Sequence, residues 1–518
     1  MNVSCIDYSA TGAFSSLVLN YLNRDSNLKP FYAHFPEISS FSDVMKERNF
    51  PQAQRQILVE ELKQQYQGVE MPESVQVNIE ALAQEQTFTI TTGHQLNLFT
   101  GPLYFIYKIV TAINTARELQ KAYPAQTFVP VYWMATEDHD FAEIDHFTLF
   151  GKKYTWETEA AGAVGRLPTD GLNELLDALP EHYPLFEEAY TESATLAEAT
   201  RKIVNGLFAE YGVVCVDGDS RALKKALVPA IKRELTEQVA FAEVSKTNAA
   251  LEKEYKPQVM VREINLFYLD HCLRERIVRE GDRYQVLNSD LAFTQAEILQ
   301  LAEAEPEKFS PNVVLRPLYQ ELVLPNLAYI GGGAEVAYWF QLKGMFAAFG
   351  VPYPVVMLRN SGLYITKPNA QRLEKLGLTV LEMFQELPEL KKRLADLLNQ
   401  EEVSLEAQRT TIDQAFKSVE EMAQTIDPTL VKAVGAEAQK ALNSLQMLEK
   451  KLNKAIDSKN ETIYNQLANL KEKLFPTGVL QERVDNLLTY QTNNPAFIAS
   501  LVDAFKPFAP CFTVLQEE

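Results

Sequence analysis

Between residues 387 and 475 the chain nearly dispenses with glycine and proline and sets its apolar residues in a heptad rhythm. Ile412, Ala415, Val419, Met422 and Ile426 are spaced 3, 4, 3, 4. Val434, Ala438, Ala441, Leu445, Leu448, Leu452 and Ala455 run 4, 3, 4, 3, 4, 3. Ile463, Leu467, Leu470 and Leu474 resume the rhythm after a stutter. Such a pattern commits the segment to long helices with an apolar seam. Asp427-Pro428 interrupts it where a helix restarts, with Asp as its cap and Pro in its first turn. The expectation is an antiparallel coiled-coil hairpin that ends at Pro476. A spacer arm and a dimer contact both satisfy the pattern, because one seam can close within the hairpin.

The chain before about residue 375 has a different character. Short runs at 87–92, 127–134, 212–217, 312–316, 328–332 and 355–359 are rich in β-branched and aromatic residues and bounded by Gly, Pro or Asp. Amphipathic stretches at 103–121, 182–210 and 223–252 lie between them. This alternation predicts an α/β protein with a Rossmann-like, mainly parallel sheet. The organisation read from the pattern is a core over residues 1–375, a helical arm over 376–476 and a segment over 477–518 that returns to the core.

Charge then limits the partners. With 49 basic and 69 acidic residues the net charge is −20, which speaks against coating a nucleic acid but leaves room for a local basic pocket. The first ten residues lack the basic and apolar regions of a signal peptide, and no apolar run approaches a membrane span. The four cysteines, Cys5, Cys215, Cys272 and Cys511, are far apart and include no Cys-x-x-Cys pair. That spacing offers no zinc knuckle and no disulfide framework, and the expected location is the cytoplasm.

Three segments carry chemistry-bearing residues at predicted strand ends, where open α/β sheets bind their ligands. The first runs from Gly93-His94-Gln95 to Thr100-Gly101-Pro102 and leads into a helix. Here Thr100 is a candidate cap, Gly101 permits close backbone approach, and the helix start is a candidate phosphate or carboxylate site that Lys108 reaches. A well-capped turn of purely structural purpose fits the same residues, and His94 has a structural as well as a catalytic reading. The second segment is Glu137-Asp138-His139-Asp140, which follows the strand ending in Trp133-Met134. Carboxylates beside an imidazole suit general acid–base work, or a hard cation. A metal site of the Asp/His hydrolase kind lacks a second matching His–Asp pair, so no metal ligands are assigned, and a solvated loop remains the bland alternative. The third comprises Arg316-Pro317 and the turn Gly331-Gly332-Gly333-Ala334-Glu335, followed by Tyr338-Trp339. Three glycines allow positive φ and close backbone approach, Arg316 and Arg359 offer bidentate grips on anions, and Glu335 either faces a ligand or complements the helix dipole. His34, His146, His182 and His271 stand in no such constellation.

Taken together, Leu98-Phe99-Thr100-Gly101-Pro102-Leu103-Tyr104, Glu137-Asp138-His139-Asp140, Arg316-Pro317, Tyr338-Trp339 and the late coiled coil resemble the bacillithiol-synthesis cysteine ligase family over essentially the whole chain. The resemblance implies a core related to nucleotidyltransferases, addition of L-cysteine to the amine of glucosaminyl-malate, an adenine nucleotide site and a homodimer held through the coiled coil. Other members commonly read Gly-Gln-Gln where this chain has Gly93-His94-Gln95, so Asp138, His139 and Asp140 rank above His94 as catalytic groups, with Glu137 beside them. Amide formation from a free carboxylate needs activation, which implies ATP or another adenine nucleotide, with Mg²⁺ as its companion. Gly93, Gln95, Thr100, Gly101, Lys108, Trp133, Arg316, Gly331, Gly332, Gly333, Glu335, Tyr338 and Arg359 are the expected binding residues, and His139 or a neighbouring carboxylate the general base. A metal-dependent hydrolase built on residues 137–140 and a non-catalytic coiled-coil scaffold are the rival readings.

Overall fold

A computed structural model describes residues 1–398 and 403–518. Asn399, Gln400, Glu401 and Glu402, which the heptad reading includes in the arm, lie outside the described residues. The chain divides into two compact units, one of Asn2–Tyr364 and Val479–Leu515, the other of Met1, Ile365–Gly478 and Gln516–Glu518. No helix among the described residues is long and apolar enough to cross a membrane.

The strands run as follows. β1 (Asn2–Ile6) belongs to a small sheet finished much later in the chain, while β2 (Thr87–His94) and β3 (Thr127–Met134) begin a parallel sheet. β4 (His146–Leu149) and β5 (Lys152–Thr155) form a hairpin, and β6 (Val214–Asp217) returns to the parallel sheet. β7 (Leu266–Asp270), β8 (Leu273–Glu280), β9 (Arg283–Val286), β10 (Ala292–Thr294) and β11 (Phe309–Pro311) make a five-stranded antiparallel sheet in the order β10-β9-β8-β7-β11. β12 (Asn326–Gly331) and β13 (Val355–Leu358) rejoin the parallel sheet, and β14 (Ser361–Ile365) with β15 (Phe512–Gln516) completes the small one.

The parallel sheet has the order β13-β12-β2-β3-β6. The chain therefore lays β3 and β6 to one side of β2, then crosses back to lay β12 and β13 on the other. A reversal of this kind opens a crevice at the carboxyl ends of the two central strands. The α/β class and the parallel sheet agree with the sequence reading. Residues 127–134 form β3 with the foreseen limits, and residues 103–121 correspond to the helix Tyr104–Ala122. That helix turns Ala112, Ala116 and Leu119 onto Phe88, Ile90, Phe128 and Ile330 of the sheet, which is the core's centre. The spacing of those three residues, four and then three apart, is the helical stripe that such burial requires.

Under the sheet runs a buried polar chain. Thr89 and Thr91 donate to Asn326 Oδ1 at 3.1 and 2.8 Å. Asn326 Nδ2 donates to Glu321 Oε1 at 2.6 Å, and Arg48 Nη2 donates to Glu321 Oε2 at 2.5 Å. Every link crosses between elements, so the chain fixes β12 against β2 laterally.

Other expectations need correction. Residues 312–316 do not form a strand. Asn312 Oδ1 accepts the N–H groups of Val314 and Leu315, its carbonyl accepts that of Arg316 at 2.8 Å, and the chain turns there into the helix Arg316–Val323. Residues 182–210 split into Pro184–Thr191 and Leu196–Phe208, because Thr195 caps the second helix by accepting from the Glu198 N–H. The stretch 223–252 breaks at Gln238, whose φ is 53°. The cysteine reading also fails. Cys5 and Cys511 are joined in a disulfide with a Cα–Cα distance of 5.8 Å across 506 residues of sequence, a partnership invisible in any local spacing.

In the helical unit, Glu406–Ile426 and Val431–Leu474 form the expected hairpin. Val403 and Leu405 donate backbone N–H groups to Asn453 and Glu449, and Gly435 lies against Glu420. These pairs fix an antiparallel register. Asp427 caps the turn by accepting from the Thr429 N–H at 2.9 Å. The seam is not closed within the chain, since Val419, Met422, Ile426, Leu448 and Leu452 remain exposed.

Replacing Arg48 by Met removes the only cation in the buried chain and strands the Glu321 carboxylate. A loss of about 3–5 kcal/mol of stability is expected, as for a broken buried ion pair, read from urea or thermal unfolding of the variant against the parent.

Candidate functional site

A cleft of about 790 Å³ opens at the carboxyl ends of β2, β3, β12 and β13, and the antiparallel sheet supplies its further wall. Of the predicted site residues it gathers Gly93, His94, Gln95, Lys108, Trp133, Glu137, Asp138, Arg316, Gly332, Gly333, Glu335, Tyr338 and Arg359. Thr100, Gly101, Gly331, His139 and Asp140 are not in its lining.

Glu335 organises one side. One of its oxygens accepts from Lys108 Nζ at 2.6 Å and from the Gly332 N–H at 2.8 Å, and the other accepts from the Tyr329 hydroxyl at 2.6 Å. Burial pushes the carboxyl up, but Lys108 and the Gly332 N–H outweigh it and hold it below its ordinary range. Lys108 also donates to the Gly93 carbonyl, and burial lowers its own pKa. Lys108 is thus a strut across the crevice between β2 and the turn after β12 rather than a free anion ligand. The three-glycine turn uses no positive φ at any of its glycines. Its lack of side chains serves proximity instead, since a Cβ on Gly331 would stand 2.8 Å from that of Glu335.

Two arginines differ in their commitments. Arg359 Nη2 donates to Glu482 at 2.7 Å, while Nη1 donates to the Asn360 carbonyl and to Ser361, so it anchors the C-terminal segment and does not act as a clamp. Arg316 donates through Nη1 to Gln320 at 3.0 Å and lies 5.6 Å from the Tyr329 ring centroid, whereas its buried Nη2 has no hydrogen-bond partner among the described residues. An orphaned guanidinium nitrogen beside a cleft suits a carboxylate or phosphate oxygen.

The loop before the helix Tyr104–Ala122 is not an anion site. Phe99, Thr100 and Gly101 have φ of 49°, 69° and 61°, and Thr100 does not cap the helix. The Asn486 amide donates to the carbonyls of Phe99 and Gly101 at 2.7 and 2.8 Å, and the Leu103 N–H goes to the Asp485 carbonyl. Phe99 itself stacks on Phe147 and Phe186. The Leu103 N–H is thereby used within the chain, and Thr100 and Gly101 stand outside the cleft's lining.

Residues 137–140 face different ways. Glu137 is buried and ion-paired with Lys224, which also donates to the Phe309 carbonyl at 2.5 Å. Asp138 Oδ2 accepts from Gln95 at 3.0 Å and its Oδ1 from the His139 N–H at 2.8 Å. Burial pushes Asp138 up, yet the bonds from His139 and Gln95 and the charge of Arg274 together hold it well below the usual carboxylate range. Arg274 Nη1 lies 2.6 Å from His139 Nδ1. A guanidinium only donates, so Nδ1 accepts and Nε2 is the ring nitrogen that carries hydrogen. His139 is therefore a donor at its outer edge and not the base foreseen from sequence. The 3.7 Å between His139 Nδ1 and Asp138 Oδ1 is too long for a hydrogen bond. Asp140 is exposed and outside the cleft. Among the described residues no three or more His, Cys, Asp or Glu side chains converge as metal ligands. Lys224 and Arg274 occupy the positions from which a cation would approach Glu137 and Asp138.

His94 is half-buried between Tyr104 and Phe105, with ring centroids 5.3 and 5.2 Å away, and its buried Nε2 lacks a partner among the described residues. Burial and the charge of Lys108 lower its pKa to about 3, so it is a neutral imidazole at physiological pH.

Sequence reasoning missed Arg274, Lys224, Arg262, Arg276 and Arg483, of which all but Lys224 line the cleft. Arg274 and Arg276 share one face of β8, in the run Leu273-Arg274-Glu275-Arg276-Ile277. That alternation was the available signal, but charged residues on both faces masked it as a strand.

Residues 1–360 match the family described as Bacillithiol biosynthesis BshC, N-terminal Rossmann-like domain, and residues 362–517 match its C-terminal coiled-coil domain. A protein of Cytophaga hutchinsonii is 44% identical over 495 residues, 95% of each chain. One of Flavobacterium johnsoniae is 43% identical over 528 residues, covering 99% of this chain and all of its own. One of Bacillus cytotoxicus is 27% identical over 502 residues, 92% of this chain and 93% of its own. All three carry the provisional name of cysteine ligase BshC.

His94 gives the site a pH signature. Its folded pKa lies below the unfolded value of 6.5, at about 3, so the unfolded chain holds the extra proton between those values and stability falls as pH drops through them. Between pH 7 and pH 5 the parent should lose about 2 kcal/mol more than His94→Gln, measured by chemical unfolding at both pH values.

Proposed function

The chain belongs to the bacillithiol-biosynthesis BshC family, and we propose that it is a cysteine ligase, joining the carboxylate of L-cysteine to the glucosamine amine of glucosaminyl-malate. The observation that carries this reading is the basic cleft at the sheet's switch point in a chain of net charge −20. Both substrates are carboxylates, and the cleft keeps the Arg316 Nη2 without a protein partner. Its names in related species support the same assignment.

ATP, or another adenine nucleotide, supplies the driving force when bound by making the cysteine carboxylate a better acyl donor. The donor set suits its phosphates, since Arg483 lines the cleft and its side chain has no ion-pair partner among the described residues. Mg²⁺ fits as an ion held by phosphate oxygens, because Glu137 and Glu335 are already paired with lysines.

The protein's own groups divide the remaining work. Arg316 holds the cysteine carboxylate with its free Nη2. Asp138 is ionised throughout the physiological range and attracts the acceptor's ammonium group. The free amine attacks the acyl carbon; as the C–N bond forms, that carbon's bond to its phosphoryl-bearing oxygen breaks, the oxygen leaves with the phosphoryl group, and the surplus proton on nitrogen passes to the Asp138 carboxylate and on to solvent. His139 donates its backbone N–H to Asp138 Oδ1 and so orients that carboxylate, and neutral His94 adds a hydrogen bond within the cleft. Trp133, Tyr338 and the backbone of Gly332 and Gly333 shape the walls. A second copy of the chain is the proposed protein partner, since the hairpin leaves an apolar seam uncovered, with Ile426 80% exposed.

The test is mass spectrometry of the purified chain incubated with L-cysteine, glucosaminyl-malate, ATP and Mg²⁺, each omitted in turn. The cysteine amide should appear only in the complete mixture, together with AMP or ADP. Asp138→Asn should lower kcat at least 100-fold, as removal of a proton acceptor does, while its unfolding curve stays that of a folded protein. Product formed at the parental rate by Asp138→Asn would remove Asp138 from the chemistry.

A further inference from the structure

The cleft's arginines differ in what already holds them. Arg359 is bound by Glu482, and Arg274 by His139, Ser310 and the Pro311 carbonyl. Arg276 follows Arg274 on the same face of β8, where it lies opposite Phe267 of β7 in the strand register. Arg262 lies in the stretch that leads into β7. Both line the cleft, and neither side chain makes a hydrogen bond or ion pair among the described residues. In a chain with 69 acidic residues, two arginines that line one cleft and have no carboxylate partner among the described residues mark a place for an external anion.

The two proposed substrates bring different numbers of carboxylates. Cysteine brings one, which is consumed in the reaction and must lie at the strand ends beside Asp138 and Arg316. The acceptor brings the two of its malate end, which remain unchanged and need a different part of the same cleft. We infer that Arg262 and Arg276 bind the malate dicarboxylate and determine which amine the enzyme accepts. This rests on the ligase reading above. Arg262 is exposed and Arg276 half-buried, so engaging them costs little desolvation. Their contacts lie away from the bond being formed and are equal in the ground and transition states. Such contacts govern affinity and discrimination rather than the rate of the chemical step.

The experiment is calorimetric titration of the full chain with glucosaminyl-malate and with methyl glucosaminide, which has no carboxylate, for the parent and for the double variant Arg262→Gln, Arg276→Gln. The Kd for glucosaminyl-malate should rise at least tenfold (about 1.4 kcal/mol), and the preference over methyl glucosaminide should shrink by the same factor. Arg276→Lys, which keeps the charge, should recover part of the loss. An equal loss of affinity for both ligands would indicate a damaged cleft and overturn the inference, as would a Kd for glucosaminyl-malate that does not change. In the latter case a parent that still forms the cysteine amide leaves the ligase reading standing. A parent with no affinity for glucosaminyl-malate overturns both. The singly substituted Arg262→Gln, at an exposed position, gives the same comparison should the double variant fold poorly, with a smaller shift in the same direction expected.

Discussion

The placement of β12 beside β2, rather than beyond β6, is the constraint on which the rest of the site depends. Parallel neighbours require a crossover, and this one reverses direction after the antiparallel sheet has been made. The reversal brings Gly93 and His94 at the end of β2 next to Tyr329 and Gly332 at the end of β12, and the Lys108–Glu335 pair spans the gap. A slip of one residue between the two strands would turn every side chain on one of them to the opposite face. The buried chain Thr89–Asn326–Glu321–Arg48 opposes such a slip, because apolar neighbours alone tolerate several alignments whereas these donors and acceptors match in one.

Much of this was legible in the sequence wherever a local pattern determined the outcome. β3 and the helix Tyr104–Ala122 follow from residue type and periodicity, and the heptads with Asp427-Pro428 yield the hairpin and its turn. The errors fall where distant residues decide. Val313-Val314 looks like a strand, but the side chain of Asn312 captures the following N–H groups and starts a turn. Thr100-Gly101-Pro102 looks like a ligand-binding helix start, but Asp485 and Asn486, far along the chain, hold it through the Leu103 N–H and the Gly101 carbonyl. The role of His139 depends on Arg274, 135 residues away. No window of sequence contains both members of such a pair.

The site also separates its charges more sharply than the composition suggests. Glu137, Glu335 and Glu482 each have a cation, so the inner wall is nearly neutral and its polar groups are fixed in orientation. Arg262, Arg276 and Arg483 line the cleft with no ion-pair partner among the described residues. An acidic exterior repels stray polyanions, while the mouth draws small ones inward, a combination that favours encounter with compact anionic metabolites.

The bond between Cys5 and Cys511 has a topological meaning. It joins β1 to the residue before β15, so residues 5–511 form a closed covalent ring. Linear position then loses its usual significance: the first and last strands of the small sheet are neighbours along the ring as well as in space. A single break anywhere in the ring opens it into one connected molecule and releases no fragment.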